Sequence, residues 1–252
     1  MKISVITVCY NSENTILDTL TSIIEQTYNN VEIVIVDGGS IDNTLKIIEQ
    51  AEIDNLRLIS ERDFGIYDAM NKGLRLATGD IIHFLNSDDV YADFNILENV
   101  VSIFEKRDAD VCYGGIRYID SDMKAVGTWD SKPFTSGQYK NGWHTPHPGF
   151  FAKKYLFLNL GTFDPDMKIA ADFDLMKRFM EHDGTRSVQV NKILVNMRDD
   201  GASSGLKAIL KGFLEIRQSF RKDGHNISLT FLINRYAKKV LRKAKIQDWI
   251  QK

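Results

Sequence analysis

The 252-residue sequence lacks the features that mark several protein classes. Its only two cysteines, Cys9 and Cys112, lie inside apolar stretches, so we expect reduced, buried thiols in a cytoplasmic protein rather than a disulfide framework. No stretch approaches the roughly 20 apolar residues that span a bilayer, and we expect no signal peptide at the start. The absence of G-x-G-x-x-G and G-x-x-x-x-G-K-[S/T] argues against dinucleotide binding and P-loop ATP hydrolysis.

Charge is balanced overall but unevenly distributed. The formal net charge is −2, yet residues 206–252 hold 12 Lys/Arg and 3 Asp/Glu, a net of +9, which leaves −11 on residues 1–205. We therefore expect a domain over 1–205 and a basic helical tail over 206–252. Such a tail suits an anionic membrane surface, as in a peripheral protein of the inner leaflet, or packing against the domain or another subunit of a homo-oligomer. The acidic body makes nucleic acid a poor partner.

The first half of the chain alternates between strand and helix periodicity. Continuous β-branched runs predict strands buried on both faces, and apolar residues spaced by three and four predict helices. Their alternation implies right-handed crossovers and an α/β fold with a Rossmann-like, mostly parallel sheet covered by helices on both faces. The predicted strands are 3–9, 31–36, 56–60, 81–85 and 111–113, and the predicted helices are 14–26, 42–52, 66–77, 96–105, 172–180, 206–221 and 229–245.

Polar clusters follow three of the predicted strands. In parallel sheets of this kind, ligands bind at the carboxyl ends of the strands, so these clusters should meet along one rim. The clusters are Cys9-Tyr10-Asn11, Asp37-Gly38-Gly39-Ser40 and Asn86-Ser87-Asp88-Asp89.

The third cluster predicts a cation site. Two adjacent carboxylates, Asp88 and Asp89, directly after a buried strand are costly unless something neutralises them. Hard oxygen ligands suit Mg²⁺ or Mn²⁺ bound to phosphates. The alternative is an ordinary helix start, capped by Ser87 or Asp88.

Two further segments offer ligand contacts. After Asp37, which suits a base or ribose, the Gly38-Gly39 pair allows a close backbone approach. The segment 61–73 is too polar for a packed connector. Its Arg62 and Lys72 suit phosphates, and its Asp63 or Asp68 suits a base or sugar; alternatively, these charges pair with one another.

The second half contributes an acid and two histidines. Asp172 opens a predicted helix with rigid apolar support, as a general base requires, although from this segment alone a simple N-cap aspartate is the better interpretation. His144 and His147 lie three apart around a proline, without an obvious third ligand for zinc. Contact with phosphate or with an acceptor molecule is the better interpretation.

Together, these segments resemble the family 2 glycosyltransferases, inverting enzymes with the GT-A fold, and most closely the bacterial members that build surface polysaccharides. The resemblance spans about 180 residues in order. It is carried by ISVITVCYNSENTILDTLTSI, VEIVIVDGGSIDNT, DFGIYDAMNKGLRLATGDIIHFLNSDD and AADFDLMKRF.

The resemblance implies roles for individual residues. Asp88 would be the metal ligand at the family's D-x-D segment, and Asp172 would be the base, with Thr7 and Tyr10 flanking the nucleotide base and Asp37 bonding to it. Two departures are Asn86, in place of the first acid of D-x-D, and Ala171, in place of a glutamate before the base. The expected donor contacts are Thr7, Tyr10, Asn11, Asp37, Gly39, Arg62, Asp63, Asp68, Lys72, Asn86, Ser87 and Asp89.

The resemblance also implies the reaction. We expect a hexosyl- or N-acetylhexosaminyltransferase that uses Mg²⁺ or Mn²⁺, with residues 1–90 binding the nucleotide-sugar (UDP by resemblance only) and 91–205 binding a saccharide or lipid-linked saccharide acceptor. A nucleotidyltransferase is the first alternative, but residues 10–14 lack the glycine and base that hold a triphosphate. A catalytically silent sugar-nucleotide-binding module is the second.

Overall fold

The secondary-structure elements alternate in the first half of the chain as predicted. The computed structural model describes residues 1–198, 206–227 and 231. The strands are β1 (Ile3–Cys9), β2 (Val31–Asp37), β3 (Leu56–Ser60), β4 (Ile81–Phe84), β5 (Val90–Tyr91), β6 (Val111–Ile119), β7 (Ala125–Trp129), β8 (Phe150–Lys153) and β9 (Ser187–Arg198). The helices are α1 (Ile16–Ile24), α2 (Thr44–Gln50), α3 (Ile66–Leu76), α4 (Ile96–Arg107), α5 (Lys154–Leu160), α6 (Ala171–Met180) and α7 (Leu206–Lys222).

The strands form one sheet in the order β3-β2-β1-β4-β8-β6-β9-β5, and β7 pairs with β6. The four strands of the first half, β3 to β4 in this order, are parallel to one another, so their carboxyl ends lie at the same edge. β8 joins β4 in antiparallel orientation and leads into a mixed second half. The predicted α/β class with a Rossmann-like parallel half is confirmed.

The core consists of two apolar layers, one on each face of the sheet. Successive side chains of a strand point to opposite faces, so β1 contributes Ile3 and Val5 to one layer and Ile6 and Val8 to the other. Helices α1, α2 and α4 cover the first layer, and α3, α5 and α6 cover the second. This arrangement explains why β1, β2 and β4 are mostly apolar and buried along nearly their whole length.

Helix α7, the first part of the predicted basic tail, packs against α6. Its Ile216 and Phe220 are buried, and its Ser219 donates a 2.5 Å hydrogen bond to Asp174 of α6. The predicted helix 229–245 lies outside the described residues except for position 231, and the division at residue 205 stays a prediction. Among the described helices, none combines the length and apolar character that crossing a bilayer requires.

Candidate active site

The polar clusters after β1, β2 and β4 meet along one rim, as the sequence predicts. The backbone N–H of Asn11 donates to Ser40 Oγ at 2.8 Å, and the Asn11 side-chain oxygen accepts from the N–H of Ile41 at 3.0 Å. On the other side, the hydroxyl oxygens of Ser12 and Ser87 lie 2.9 Å apart. The loop after β1 therefore joins the other two loops by direct hydrogen bonds.

Asp37 shapes the turn after β2. It is fully buried and accepts hydrogen bonds from the N–H groups of Gly39 (3.1 Å) and Ser40 (3.0 Å) and from the hydroxyl of Ser60 (2.6 Å). Burial raises the pKa of Asp37, but these hydrogen bonds outweigh it and hold the pKa below its ordinary value. Gly39 has a φ of +83°, which favours glycine at this turn. These donors already occupy both carboxylate oxygens of Asp37. The contact between Asp37 and a nucleotide base stays a prediction.

Asp63 lies beside the turn, in the space that a side chain at position 38 would fill. A Cβ placed on Gly38 would lie 2.5 Å from Asp63 Oδ2 and 3.4 Å from Cδ2 of Tyr10. The ring of Tyr10 is 62% exposed, so it offers a face for stacking. The other Asp63 oxygen accepts the N–H of Gly65 at 2.8 Å, which fixes the carboxylate. An aromatic face beside a fixed carboxylate is suited to stacking with a nucleobase and accepting its N–H.

The charges of segment 61–73 pair largely with one another. Lys72 donates to the Arg62 carbonyl at 2.9 Å and forms an ion pair with Glu61 at 2.8 Å. Asp68 accepts the N–H of Phe64 at 3.0 Å. The Arg62 side chain is exposed. Lys72 therefore pairs within the segment, as the alternative interpretation of these charges predicted. The phosphate contacts of Lys72 and Arg62 stay predictions.

The loop 86–89 is held from two sides. Thr19 of α1 donates to the carbonyl of Asp89 at 2.8 Å. Arg198, at the end of β9, is buried and donates to the carbonyl of Asp88 at 2.8 Å and to the carboxylate of Asp18 at 2.6 Å. No local pattern in the sequence indicates Arg198, because the partly buried β9 carries no strong strand signal. These contacts fix the backbone from which the Asp88 carboxylate projects.

The acids of this loop fit a divalent cation shared with phosphate oxygens. Asp89 is buried, and burial together with the charge of Asp88 raises its pKa well above the ordinary value, a cost that a nearby cation would relieve. Within the described residues, Asn86 Oδ1 and Asp89 Oδ1 are buried without a hydrogen-bond partner, and no group of three or more Asp, Glu, His or Cys forms a complete cage. Mg²⁺ commonly binds one or two carboxylates plus substrate phosphates, so this donor set is adequate. Thr7 is fully buried, and the structure does not bring it to the surface of the rim.

Asp172 lies in the first turn of α6 and contacts α3. The hydroxyl of Tyr67 donates to Asp172 Oδ1 at 3.2 Å. Just before α6, the buried carboxylate of Glu215 from α7 accepts three successive N–H groups at 2.8 to 2.9 Å; their residues are Lys168, Ile169 and Ala170. Lys168 also donates to the carbonyl of Phe64 at 3.0 Å, which joins the start of α6 to the segment that carries Asp63. These contacts hold Asp172 beside the segment that carries Asp63.

The two histidines lie in separate environments. His147 packs against Phe84 and Phe163, and its ring nitrogens are buried without partners among the described residues. Burial lowers the pKa of His147, with partial compensation from the charge of Asp172. His144 instead contacts the rings of Trp129 and Phe173. The proposed phosphate or acceptor contacts of both stay predictions.

Curated relatives are bacterial glycosyltransferases. A "PGL/p-HBAD biosynthesis glycosyltransferase" of Mycobacterium bovis is 31% identical over 190 residues, which cover 73% of this chain and 72% of the relative. The Escherichia coli "UDP-Glc:alpha-D-GlcNAc-diphosphoundecaprenol beta-1,3-glucosyltransferase WfgD" is 35% identical over 121 residues, covering 48% of this chain and 47% of that protein.

Solved structures share the fold, and the family model covers most of the chain. Staphylococcus aureus TarS 1–349 in complex with UDP-GlcNAc has a TM-score of 0.71 at 20% identity, covering 94% of this chain and 72% of that one. Mannosyltransferase PcManGT from Pyrobaculum calidifontis, in complex with GDP-Man and Mn²⁺, has a TM-score of 0.63 at 21% identity, covering 99% and 73%. The model for glycosyl transferase family 2 matches residues 4–179, which include the rim and Asp172, and this chain therefore belongs to that family.

Proposed function

We propose that the protein transfers a hexosyl or N-acetylhexosaminyl group from a nucleotide-diphosphate sugar to a hydroxyl of a saccharide or lipid-linked saccharide in bacterial polysaccharide biosynthesis. The supporting observation is the rigid connection between the rim of strand ends and Asp172, made through segment 61–68. Relatives named for such transfers, and a structural neighbour that binds UDP-GlcNAc, favour UDP as the donor nucleotide.

The nucleotide base would bind against Tyr10 and Asp63. Stacking on the exposed Tyr10 ring is tolerant of base type, whereas a carboxylate accepts only from a base edge that carries an N–H. Asp63 is better placed for this contact than Asp37, because Asp37 is buried and already accepts several hydrogen bonds. Uracil, with its single ring N–H, fits this arrangement.

The diphosphate would lie at the loop 86–89, with Mg²⁺ or Mn²⁺ held by Asp88. A bound divalent cation there would offset the charge that develops on the departing nucleoside diphosphate. Asn86 and Ser87 supply further oxygen and nitrogen atoms at the same loop, and Arg198 holds the Asp88 backbone in place. Asp89 is buried and supports the loop from within.

Asp172 would act as the general base. It would take the proton from the attacking acceptor hydroxyl, which approaches the sugar carbon from the face opposite the leaving group, so that the configuration inverts. The carboxylate is partly exposed at the start of α6, whereas its neighbours Ala171 and Phe173 are buried. A base on a rigid helix start meets the positional demands of this step.

The test is Asp172→Asn, with Asp54→Asn as the control at an exposed position between α2 and β3. A panel of nucleotide-sugars is incubated with Mn²⁺, and release of the nucleoside diphosphate is followed by mass spectrometry. We expect Asp172→Asn to abolish turnover while donor affinity, measured by calorimetry, is unchanged, and Asp54→Asn to behave as wild type. Retention of most activity by Asp172→Asn would show that the assigned base is wrong. Donor binding without turnover by the wild-type protein would favour the silent binding module.

Helix α7 supports a second proposal, that the protein associates with an anionic membrane surface. On its outer side Leu210 and Leu214 are 57% and 60% exposed, and Lys211, Arg217 and Arg221 are exposed near them. Exposed apolar and cationic side chains on one helix favour anionic lipid. Sedimentation with phosphatidylglycerol vesicles, using phosphatidylcholine vesicles as the control, should show binding that is lost on changing the three cationic residues to Glu. Equal binding by the wild type and this variant would refute the proposal.

A further inference from the structure

We infer that Tyr67 is a positioning residue that orients Asp172 for proton abstraction, an inference that rests on the proposed role of Asp172 as the base. The Tyr67 hydroxyl donates to Asp172 Oδ1 at 3.2 Å across 105 residues of sequence. Of the two carboxylate oxygens, this contact occupies one and leaves the other for an acceptor hydroxyl.

The position of the Tyr67 ring is set by packing rather than by the hydrogen bond alone. Tyr67 is 8% exposed and lies in the first turn of α3. Its ring is stacked on that of Phe163, with centroids 5.5 Å apart and planes 23° from parallel. Phe163 is itself buried and is anchored by hydrogen bonds between its backbone and the Asn71 side chain. The hydroxyl is thus presented to Asp172 by a rigid support.

The phenol remains a donor throughout the working pH range. Burial and the charge of Asp172 both raise the pKa of Tyr67 well above its ordinary value, so the hydroxyl keeps its proton. The contact therefore gives one Asp172 oxygen a permanent donor, which fixes the direction of the carboxylate.

Three other ionisable side chains lie around Tyr67 and Asp172, namely those of His147, Lys168 and Glu215. His147, packed against Phe163, interacts with the charge of Asp172, and Glu215 of α7 interacts with Tyr67. Lys168 precedes α6 and is tied to the Phe64 carbonyl. Because all three remain in place when only the phenol oxygen is removed, Tyr67→Phe isolates the contribution of the hydroxyl.

The experiment compares wild type, Tyr67→Phe and a matched control, Tyr28→Phe. Tyr28 also donates its hydroxyl to a partner, the carbonyl of Met1, but at the opposite end of the sheet. Hydrolysis of UDP-GlcNAc and UDP-glucose with Mn²⁺ is measured at neutral pH. In parallel, carboxyl ¹³C resonances of labelled aspartates are recorded at the same pH, and the signal lost in Asp172→Asn identifies Asp172.

We expect Tyr67→Phe to lower kcat about tenfold at neutral pH, with KM for the donor unchanged, since the contact does not involve the donor. The carboxyl ¹³C resonance of Asp172 should change position in Tyr67→Phe, because the carboxylate loses its hydrogen-bond donor. Tyr28→Phe should change none of these quantities.

The outcomes separate this inference from the proposed function. An unmoved Asp172 resonance in a folded Tyr67→Phe protein overturns the role of Tyr67, whether or not either nucleotide-sugar is hydrolysed. A kcat loss accompanied by a matching rise in the donor KM also overturns it, because a purely structural defect of the site would have that effect. Full activity of Asp172→Asn overturns the proposed base instead.

Discussion

Replacing Glu32 with Gln should destabilise the protein in a strongly pH-dependent way. Glu32 is 2% exposed and lies near the start of β2, at the end of the sheet opposite the candidate site. Its carboxylate accepts from Ser4 Oγ at 2.5 Å, from Lys2 Nζ at 2.7 Å, and from the hydroxyl and the N–H of Thr78. Gly79, just before β4, donates its N–H at 3.2 Å. One side chain thus joins the amino ends of β1, β2 and β4.

The magnitude follows from the ionisation of Glu32. Burial raises its pKa, but the hydrogen bonds from Lys2, Ser4 and Thr78 outweigh burial and lower the pKa from 4.5 to about 2. At about 1.4 kcal/mol per pH unit, the difference contributes about 3 kcal/mol to the free energy of unfolding at neutral pH. The side chains of the cationic partners, Lys2 and Arg57, are 36% and 50% exposed. Solvent screening therefore reduces the expected contribution of Glu32 to the free energy of unfolding to about 2 to 3 kcal/mol.

The sign of the pH dependence is fixed because the folded-state pKa is the lower one. The contribution is fully present above the unfolded-state value of 4.5 and is lost as the pH falls towards about 2. Urea unfolding followed by circular dichroism should therefore show Glu32→Gln less stable than wild type by about 2 to 3 kcal/mol at neutral pH, with the gap shrinking by more than half near about pH 3.

The matched control is Glu105→Gln. Glu105 is 55% exposed and pairs only with the N-terminal amine at 3.4 Å in the described structure, so its loss should cost less than about 0.5 kcal/mol. A deficit below about 1 kcal/mol for Glu32→Gln, or a deficit equal at both pH values, would refute the reasoning.

Three other predictions concern packing, the cation site and the thiols. Gly73→Ala should lower the melting temperature, because a Cβ at this position would overlap the Cγ2 methyl of Ile6 in β1. Overpacking of this kind typically destabilises a protein by about 1 to 3 kcal/mol, and an equal or higher melting temperature would contradict the packing. Arg198→Met should weaken Mn²⁺ binding in the presence of UDP about tenfold by releasing the Asp88 carbonyl, and calorimetry giving wild-type affinity would contradict this support role. Burial raises the pKa of both cysteine thiols, so neither should react with Ellman's reagent until urea unfolds the protein, and prompt labelling of the native protein would contradict their burial.

Most of the first half of the fold was predictable because β1, β2 and β4 are buried on both faces. Such strands give continuous apolar runs between polar turns, and β1 (Ile3–Cys9) has the predicted bounds. Helix α3 begins at Ile66 as predicted and ends one residue earlier than expected, at Leu76. Helix ends depend on local hydrogen bonds that a periodic pattern does not specify.

The second half was predicted less well because β7 and β9 are only partly buried and glycines interrupt the apolar run of β6. The predicted strand 111–113 continues as β6 to Ile119, through two glycines that resemble an interruption. A Cβ on Gly114 would lie 2.6 Å from Leu194, so glycine permits the close approach of β9. β9 itself has a half-buried, polar-rich pattern and carries no strong strand signal in the sequence.

The candidate site was predictable where it consists of strand ends and not where it depends on distant contacts. The clusters at Asn11, Ser40 and Ser87 follow strands that the sequence reveals, and the structure joins them. Tyr67 and Arg198 contact Asp172 and Asp88 across 105 and 110 residues, and no local pattern encodes such pairs. The close approach of the Asp63 carboxylate to Gly38 likewise depends on how two separate loops pack, which no local pattern specifies.

The position of Glu215 on α7 decides how the basic tail can be studied. A protein shortened at residue 205 would lose the carboxylate that holds three N–H groups ahead of Asp172, together with the α7 contacts of Asp174 and Lys177. Inactivity of such a protein would report the loss of support for helix α6 and would say nothing about lipid. A deletion of residues 228–252 keeps Glu215 and its three hydrogen bonds, so any lost membrane binding can be assigned to the deleted residues themselves.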